Sequence, residues 1–482
     1  DGRYLLVGQQ RGATANDVYF RDLHRPHLAA PPRAPTPSDH RSQVADQDDA
    51  PIGFTTLVAG RDALYQVEAW RDRFFVLTNE GAPMGRVFEV DPETPERASW
   101  REIIAEGDAT LESLQVIGDH LVLRYLRKAH SELVIYELDG TRVRTVPLPG
   151  LGTVSGFVGT PERDQAYFTY ESFVEPPQIY ETSVTSGETS LWERIEVPAD
   201  TSRFTVEQVW YPSRDGTKIS MFIVRRKGHS PRGDSPTMLT GYGGFGISLT
   251  PRFSSRALMW LEHGGVYAVP NLRGGGEYGE DWHKDGMGAR KQNVFDDFIA
   301  AAEFLIDKGY TRPGRLAIAG GSNGGLLVGA TMVQRPDLMG AVICAVPLLD
   351  MIRYHLFGRG RLWVPEYGSA DDSEQFATLR AYSPYHNAAL DTPYPAFLML
   401  SADTDDRVDP LHARKFIAVL QASRASTAPA LLRIEKNAGH GGADSIRQGI
   451  ERDADTYAFV MKHLGVQPAT TPTASDHRSP AP

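Results

Sequence analysis

The hydrophobic pattern of this chain changes period once. From "GTKISMFIVRRKG" (216–228) onward, near-continuous apolar runs such as "GVYAVPNLRG", "GRLAIAGG", "GAVICAVPLLD", "YPAFLMLSAD" and "ALLRIEKNAGH" alternate with amphipathic stretches such as "VFDDFIAAAEFLIDKG", "GGLLVGATMVQ" and "LHARKFIAVLQAS". Strands that are apolar along their whole length are buried on both faces, and helices between them supply the cover. The second half, residues 191–466, is therefore expected to form an α/β domain around a doubly wound, mostly parallel sheet.

Residues 1–190 follow another rhythm. "DGRYLLVG" is followed by "NDVYFRDL", "DRFFVLTNEG" by "GRVFEVD", "DHLVLRYLRKAH" by "SELVIYELDG", and "DQAYFTYESFVEPP" by "QIYETSV". Each unit is a turn signal, a β-branched or aromatic run, a polar connection and a second run. After a longer first interval the starts recur about every 45 residues, the period of a propeller blade. The expectation is a partial all-β propeller of about four blade-like units; a β-sandwich also accommodates such hairpins. Only "ATLESLQVI" carries a helical period here. A Pro-, Ala-, Ser- and Asp-rich loop near residues 30–50 and a tail over 467–482 read as disordered spacer. The two share an "SDHRS" echo that nothing physical explains, and no metal site is read into His40 or His477.

Composition excludes several classes of function. With 41% hydrophobic and 23% charged residues the chain is an ordinary globular one. Its formal charge of −11 argues against general affinity for nucleic acid or anionic membranes. The apolar run "AVICAVPLL" is far too short to span a bilayer and reads as a buried strand. A single cysteine, Cys344, rules out an internal disulfide framework and a Cys-based zinc site. The chain opens at Asp1 with no visible signal peptide, and the expected compartment is the cytoplasm. The expected state is a monomer without metal or cofactor.

Within the second half, "IAGGSNGGLL" surrounds Ser322 with four glycines, after one apolar run and before another. Glycines at such positions suit a turn too tight for Cβ atoms, and G-x-S-x-G between strand and helix is the pattern of a nucleophile elbow. Taken alone the pattern also fits a phosphate loop or a plain turn. Two further loops favour the elbow. "FLMLSADTDDRVDP" ends a strand with Asp403, Asp405, Asp406 and Asp409, among which spacing does not choose. "LLRIEKNAGHGG" ends the next with His440. A nucleophile, an acid and a histidine in this order at strand ends make a hydrolytic triad. A serine hydroxyl needs a base to take its proton, imidazole does so near neutral pH, and a carboxylate fixes the imidazole tautomer. The Asn323 N–H, following the serine, faces a developing oxyanion.

These blocks resemble the prolyl oligopeptidases, bacterial members above all. The match runs through "GYGGFGISLTP", "NLRGGGEYGEDWHK", "KQNVFDDFIAAAEFLI", "GGSNGGLL", "DMIRYHLFGRGRLWVPEYGS", "DTDDRVDPLHARKF" and "NAGHGGA". The resemblance implies a serine endopeptidase that cuts short peptides after proline through an acyl-enzyme. It implies Ser322 as nucleophile, Asp405 as acid and His440 as base. By the same resemblance Tyr242 would join the Asn323 N–H at the oxyanion, and Arg407 would hold a substrate carbonyl. Trp363 would stack on the proline ring, with Phe245, Tyr367 and Val408 lining that pocket. An apolar slot of this kind leaves charged side chains unpaired. "RGGGEYG" lacks the Lys-Ser/Thr pair of a phosphate loop. The family's opening segment and seven-bladed propeller are not matched in full, so the chain is either a fragment or a shortened form with an open sheet edge. Other readings are an oligopeptidase of other specificity, an esterase, or a binding protein with an inactive hydrolase domain.

Overall fold

The structure, a computed structural model, describes residues 2–12, 14–25, 51, 53–230, 232–423, 425–442 and 445–467. The loop read near 30–50, the tail beyond Gln467, His40 and His477 lie outside the described residues. The chain divides into two compact units. One comprises Asp1–Pro198, Phe245–Phe253 and Gly274–Asp285; the other comprises Ala199–Gly244, Ser254–Arg273 and Gly286–Pro482.

The first unit holds four antiparallel sheets, each a meander of strands adjacent in sequence. These are the blades of a β-propeller domain. The first contains Tyr4–Gln10, Asn16–Asp22 and Thr55–Val58, and the second begins with Tyr65–Trp70 and Arg73–Thr78. The alternation of strand side chains builds the cores between them. Phe74 and Val76 enter a cluster with Val18, Phe20 and Leu57 of the first sheet. Phe75 points the other way, into a cluster with Leu114, Leu121 and Leu123 of the third. The fourth sheet runs from Thr153–Gly159 to Thr189–Arg194, and the boundary read at residue 190 falls inside that last strand.

One local reading is corrected. "TLESLQVI" is not helical but a strand, Thr110–Ile117, paired antiparallel with His120–Arg127. The pairing shifts register between Leu111 and Ser113. A bulge adds one residue to a strand, so Leu111 and Leu114, three apart as on a helix, both enter the same core. The bulge mimics a helical period.

The second unit is built on an eight-stranded sheet. Its strands are Phe204–Pro212 (β1), Lys218–Arg226 (β2), Thr237–Thr240 (β3), Val266–Pro270 (β4), Leu316–Gly321 (β5), Ala341–Ala345 (β6), Ala396–Ala402 (β7) and Ala430–Glu435 (β8). They lie in the order β1-β2-β4-β3-β5-β6-β7-β8, with β2 antiparallel to both neighbours and the rest parallel. Both faces are covered, as the apolar runs require. Ala396, Leu398 and Leu400 of β7 share a cluster with Val460 and Leu464 of the helix Ile446–Leu464. Phe397, between them in sequence, meets Phe416 of the helix Leu411–Ala422 with ring centroids 5.7 Å apart. Cys344 is fully buried on β6, and burial pushes its thiol pKa up.

Candidate active site

Ser322 follows β5 and immediately precedes the helix Asn323–Gln334. Its backbone has φ 58° and ψ −119°, a conformation that costs energy for a residue with a side chain. The turn is held by its N–H donating to the Ala345 carbonyl at 2.9 Å. The surrounding glycines are sterically required at three positions. A Cβ at Gly320 would lie 2.1 Å from the Gly324 carbonyl oxygen, one at Gly324 2.7 Å from that of Gly241, and one at Gly325 2.6 Å from Pro347 Cβ. Gly321 alone has ordinary room. Ser322 is thereby lifted, half-buried, at the C-terminal end of the sheet.

The acid and the histidine come from the ends of β7 and β8. His440 Nδ1 lies 2.8 Å from Asp405 Oδ2, with the carboxylate 1% and the imidazole 17% exposed. Asp405 Oδ1 accepts from the N–H groups of Arg407 (3.0 Å) and Val408 (2.9 Å), which fixes its plane. Among the four aspartates of this loop, Asp405 is the one that meets His440 Nδ1. Asp406 faces outward to Arg359, and Asp409 accepts from the Leu411 N–H at the start of the next helix. Asp403 accepts weakly from the Ala438 N–H at 3.4 Å. Thr404 is a contributor that the sequence reading passed over: its hydroxyl donates to the Ala438 carbonyl at 2.8 Å and ties the acid loop to the histidine loop.

Tyr242 follows β3, and its phenol stands beside the Ser322 side chain. Burial raises the phenol pKa above its ordinary value, opposed by Ser322 and by the charge of Arg407. The backbone N–H of Asn323, first in its helix, has no intrahelical acceptor. Its side chain has work of its own that sequence reasoning missed: Nδ2 donates to the Tyr242 carbonyl at 2.6 Å, and Oδ1 accepts from the Tyr367 hydroxyl at 2.8 Å.

Of the residues read as pocket, Trp363 ends the short turn Gly360–Trp363 and is half-buried, while Arg407 is exposed. Tyr367 and Val408 are buried at 1% and 3% exposure. Phe245 falls in the first unit, half-buried, with φ 59°.

A doubly wound sheet with a strained serine after its fifth strand and an acid–imidazole pair after its seventh and eighth defines an α/β-hydrolase domain. Two family models match the chain: "Prolyl oligopeptidase, N-terminal beta-propeller domain" over residues 1–194 and "Prolyl oligopeptidase family" over residues 251–467. The chain belongs to the prolyl oligopeptidase family. A prolyl endopeptidase of Elizabethkingia miricola is 40% identical over 472 residues, which are 97% of this chain and 63% of that one. Prolyl oligopeptidase A of Galerina marginata is 39% identical over 402 residues, 82% of this chain and 54% of that one. A solved structure from a study of two prolyl endopeptidases and their inter-domain dynamics superposes with a TM-score of 0.88 at 53% identity, covering 97% of this chain and 65% of that one. Prolyl oligopeptidase B from Galerina marginata, bound to a 35mer hydrolysis and macrocyclization substrate, gives 0.86 at 31% identity, covering 97% of this chain and 64% of that one. The chain spans under two thirds of the length of these relatives.

Proposed function

We propose that the protein is a serine endopeptidase that hydrolyses short peptides on the carboxyl side of proline. The observation that carries this reading is the 2.8 Å contact between His440 Nδ1 and Asp405 Oδ2 at the sheet end that also bears the strained Ser322. Ser322 Oγ attacks the carbonyl carbon of the proline residue while His440 Nε2 takes its proton. The negative charge that develops on the carbonyl oxygen is met by the Tyr242 phenol and the Asn323 N–H. The imidazolium then protonates the leaving amine, and water attacks the resulting ester by the same route in reverse. Asp405 holds Nδ1–H and stabilises the imidazolium. Trp363 offers a flat face to the pyrrolidine ring, with Tyr367 and Val408 as apolar walls, and Arg407 donates to a substrate carbonyl. Short proline-containing peptides as partners, a monomeric state and a cytoplasmic setting go with this reading. No helix among the described residues is long and apolar enough to cross a membrane.

Hydrolysis of a Gly-Pro chromogenic peptide tests the proposal. Ser322→Ala should lower turnover by several orders of magnitude and abolish labelling by a fluorophosphonate. Activity that survives the substitution refutes the assignment, and a chain that cleaves after arginine but not proline refutes the specificity.

A further inference from the structure

Lys291 is the least expected charge in the second unit. It stands at the N-terminal end of the helix Gln292–Asp307 with its side chain 1% exposed. A cation at the positive end of a helix dipole is unfavourable, and burying it adds a desolvation cost. Local preference therefore gives no reason for a lysine here. Its partners supply one. Nζ donates to the Gly243 carbonyl at 2.7 Å, faces Glu366 Oε1 at 3.7 Å and sits 5.3 Å from the centroid of the Tyr367 ring. Gly243 follows Tyr242, while Glu366 and Tyr367 lie in the short helix Val364–Tyr367 after Trp363.

Asn323 makes the parallel connection one residue away, from the Tyr242 carbonyl to the Tyr367 hydroxyl. Two successive carbonyls of the tyrosine loop are thus each taken by a buried side chain that also engages successive residues of the helix behind Trp363. The loop itself has no slack. A Cβ at Gly243, which has φ 64°, would lie 2.3 Å from Val294 Cγ1, and one at Gly244 2.7 Å from Asn323 Nδ2.

We propose that Lys291 is a positioning residue for the peptidase reaction, holding the Tyr242 phenol in register with Ser322 by bonding the Gly243 carbonyl while anchored by Glu366. The inference rests on the peptidase reading above. Lys291 touches no reacting atom; it acts through Tyr242. Removing it should leave substrate binding nearly intact and weaken what the phenol does as charge develops on the carbonyl oxygen.

The test is a mutant cycle with the Gly-Pro peptide, using wild type, Ser322→Ala, Tyr242→Phe, Lys291→Met, and the pair Lys291→Met with Glu366→Gln, alone and combined with Tyr242→Phe. The paired variant is included because Lys291→Met alone takes the cation away from the buried Glu366 carboxylate and destabilises the fold, whereas removing both charges spares that cost. The expected result is a kcat at least about tenfold lower in the paired variant, a KM within about threefold of wild type, and almost no further loss when Tyr242→Phe is added. A kcat that returns with stability in the paired variant overturns the inference, since the lysine then serves only to neutralise Glu366. So do losses that multiply with Tyr242→Phe, or a rise confined to KM. A wild-type chain that leaves the peptide intact sinks the peptidase reading and the inference together, whereas an active wild type with multiplying losses sinks the inference alone.

Discussion

Arg452, on the helix Ile446–Leu464, donates through Nη1 to the carbonyl of Gly441, 2.9 Å away and next to His440. This contact matters because little is packed behind the loop. A cavity of about 470 Å³ lies there, lined among others by Tyr267, Glu435, His440, Gly441 and Tyr457. Arg452 and the Thr404–Ala438 bond, together with the Asp405 carboxylate on Nδ1, are therefore polar ties that hold the imidazole in place. Arg452→Ala should lower kcat by roughly 10- to 100-fold, since a misplacement of about 1 Å costs that much. Filling of the cavity by the freed loop would show as faster hydrogen exchange at 438–442 with little change in melting temperature.

Asp405→Asn tests the role of the carboxylate separately from its place. The Asn side-chain oxygen can still accept from the Arg407 and Val408 N–H groups, which orients the amide NH₂ toward His440 Nδ1. That donor forces the proton onto Nε2, the atom that must accept from Ser322. Turnover should fall by about 10⁴-fold with the fold intact, checked by kcat alongside thermal unfolding.

Trp363→Ala removes the flat face proposed for proline. The preference for Pro over Ala at the cleaved position, measured as a ratio of kcat/KM values, should fall roughly tenfold. Labelling of Ser322 by a fluorophosphonate should persist, because the nucleophile is untouched.

Lys291 gives an opposed pair of pH effects. Burial lowers its pKa from the ordinary lysine value to about 8, against the charge of Glu366, which raises it. The unfolded chain keeps that proton to about pH 10.4. Between pH 8 and 10 the unfolded state thus binds more protons, and this group's contribution to stability rises with pH. Activity should move the other way as the ammonium loses its attraction to Glu366. The phenols around the pair do not confuse the window, because burial raises the pKa of Tyr242, Tyr354, Tyr367 and Tyr382. Wild type minus Lys291→Met should show kcat falling and relative stability rising over pH 8 to 10, measured by initial rates and denaturant unfolding.

Much of this molecule is local in origin and was legible in the chain. The period of the apolar residues separates four β-meanders from a doubly wound sheet, because side-chain direction follows backbone repeat whatever lies across the core. The glycines around Ser322 announce the elbow, since a turn without room for Cβ atoms leaves its mark in residue type. Other features depend on groups distant in sequence. The bulge that makes Thr110–Ile117 a strand is set by its pairing with His120–Arg127, so a local period misleads there. Asp405 differs from Asp403, Asp406 and Asp409 only in which of them meets His440 Nδ1. Lys291, Asn323 and Arg452 acquire their places from carbonyls about 50, 80 and 10 residues away along the chain. The sequence by itself determined which elements form and which residue types stand at the sheet's end, because sterics and hydrophobic period act over a few residues. Only the tertiary structure decided which side chains meet, because a hydrogen bond is directional over about 3 Å and that distance exists only once the sheet has assembled.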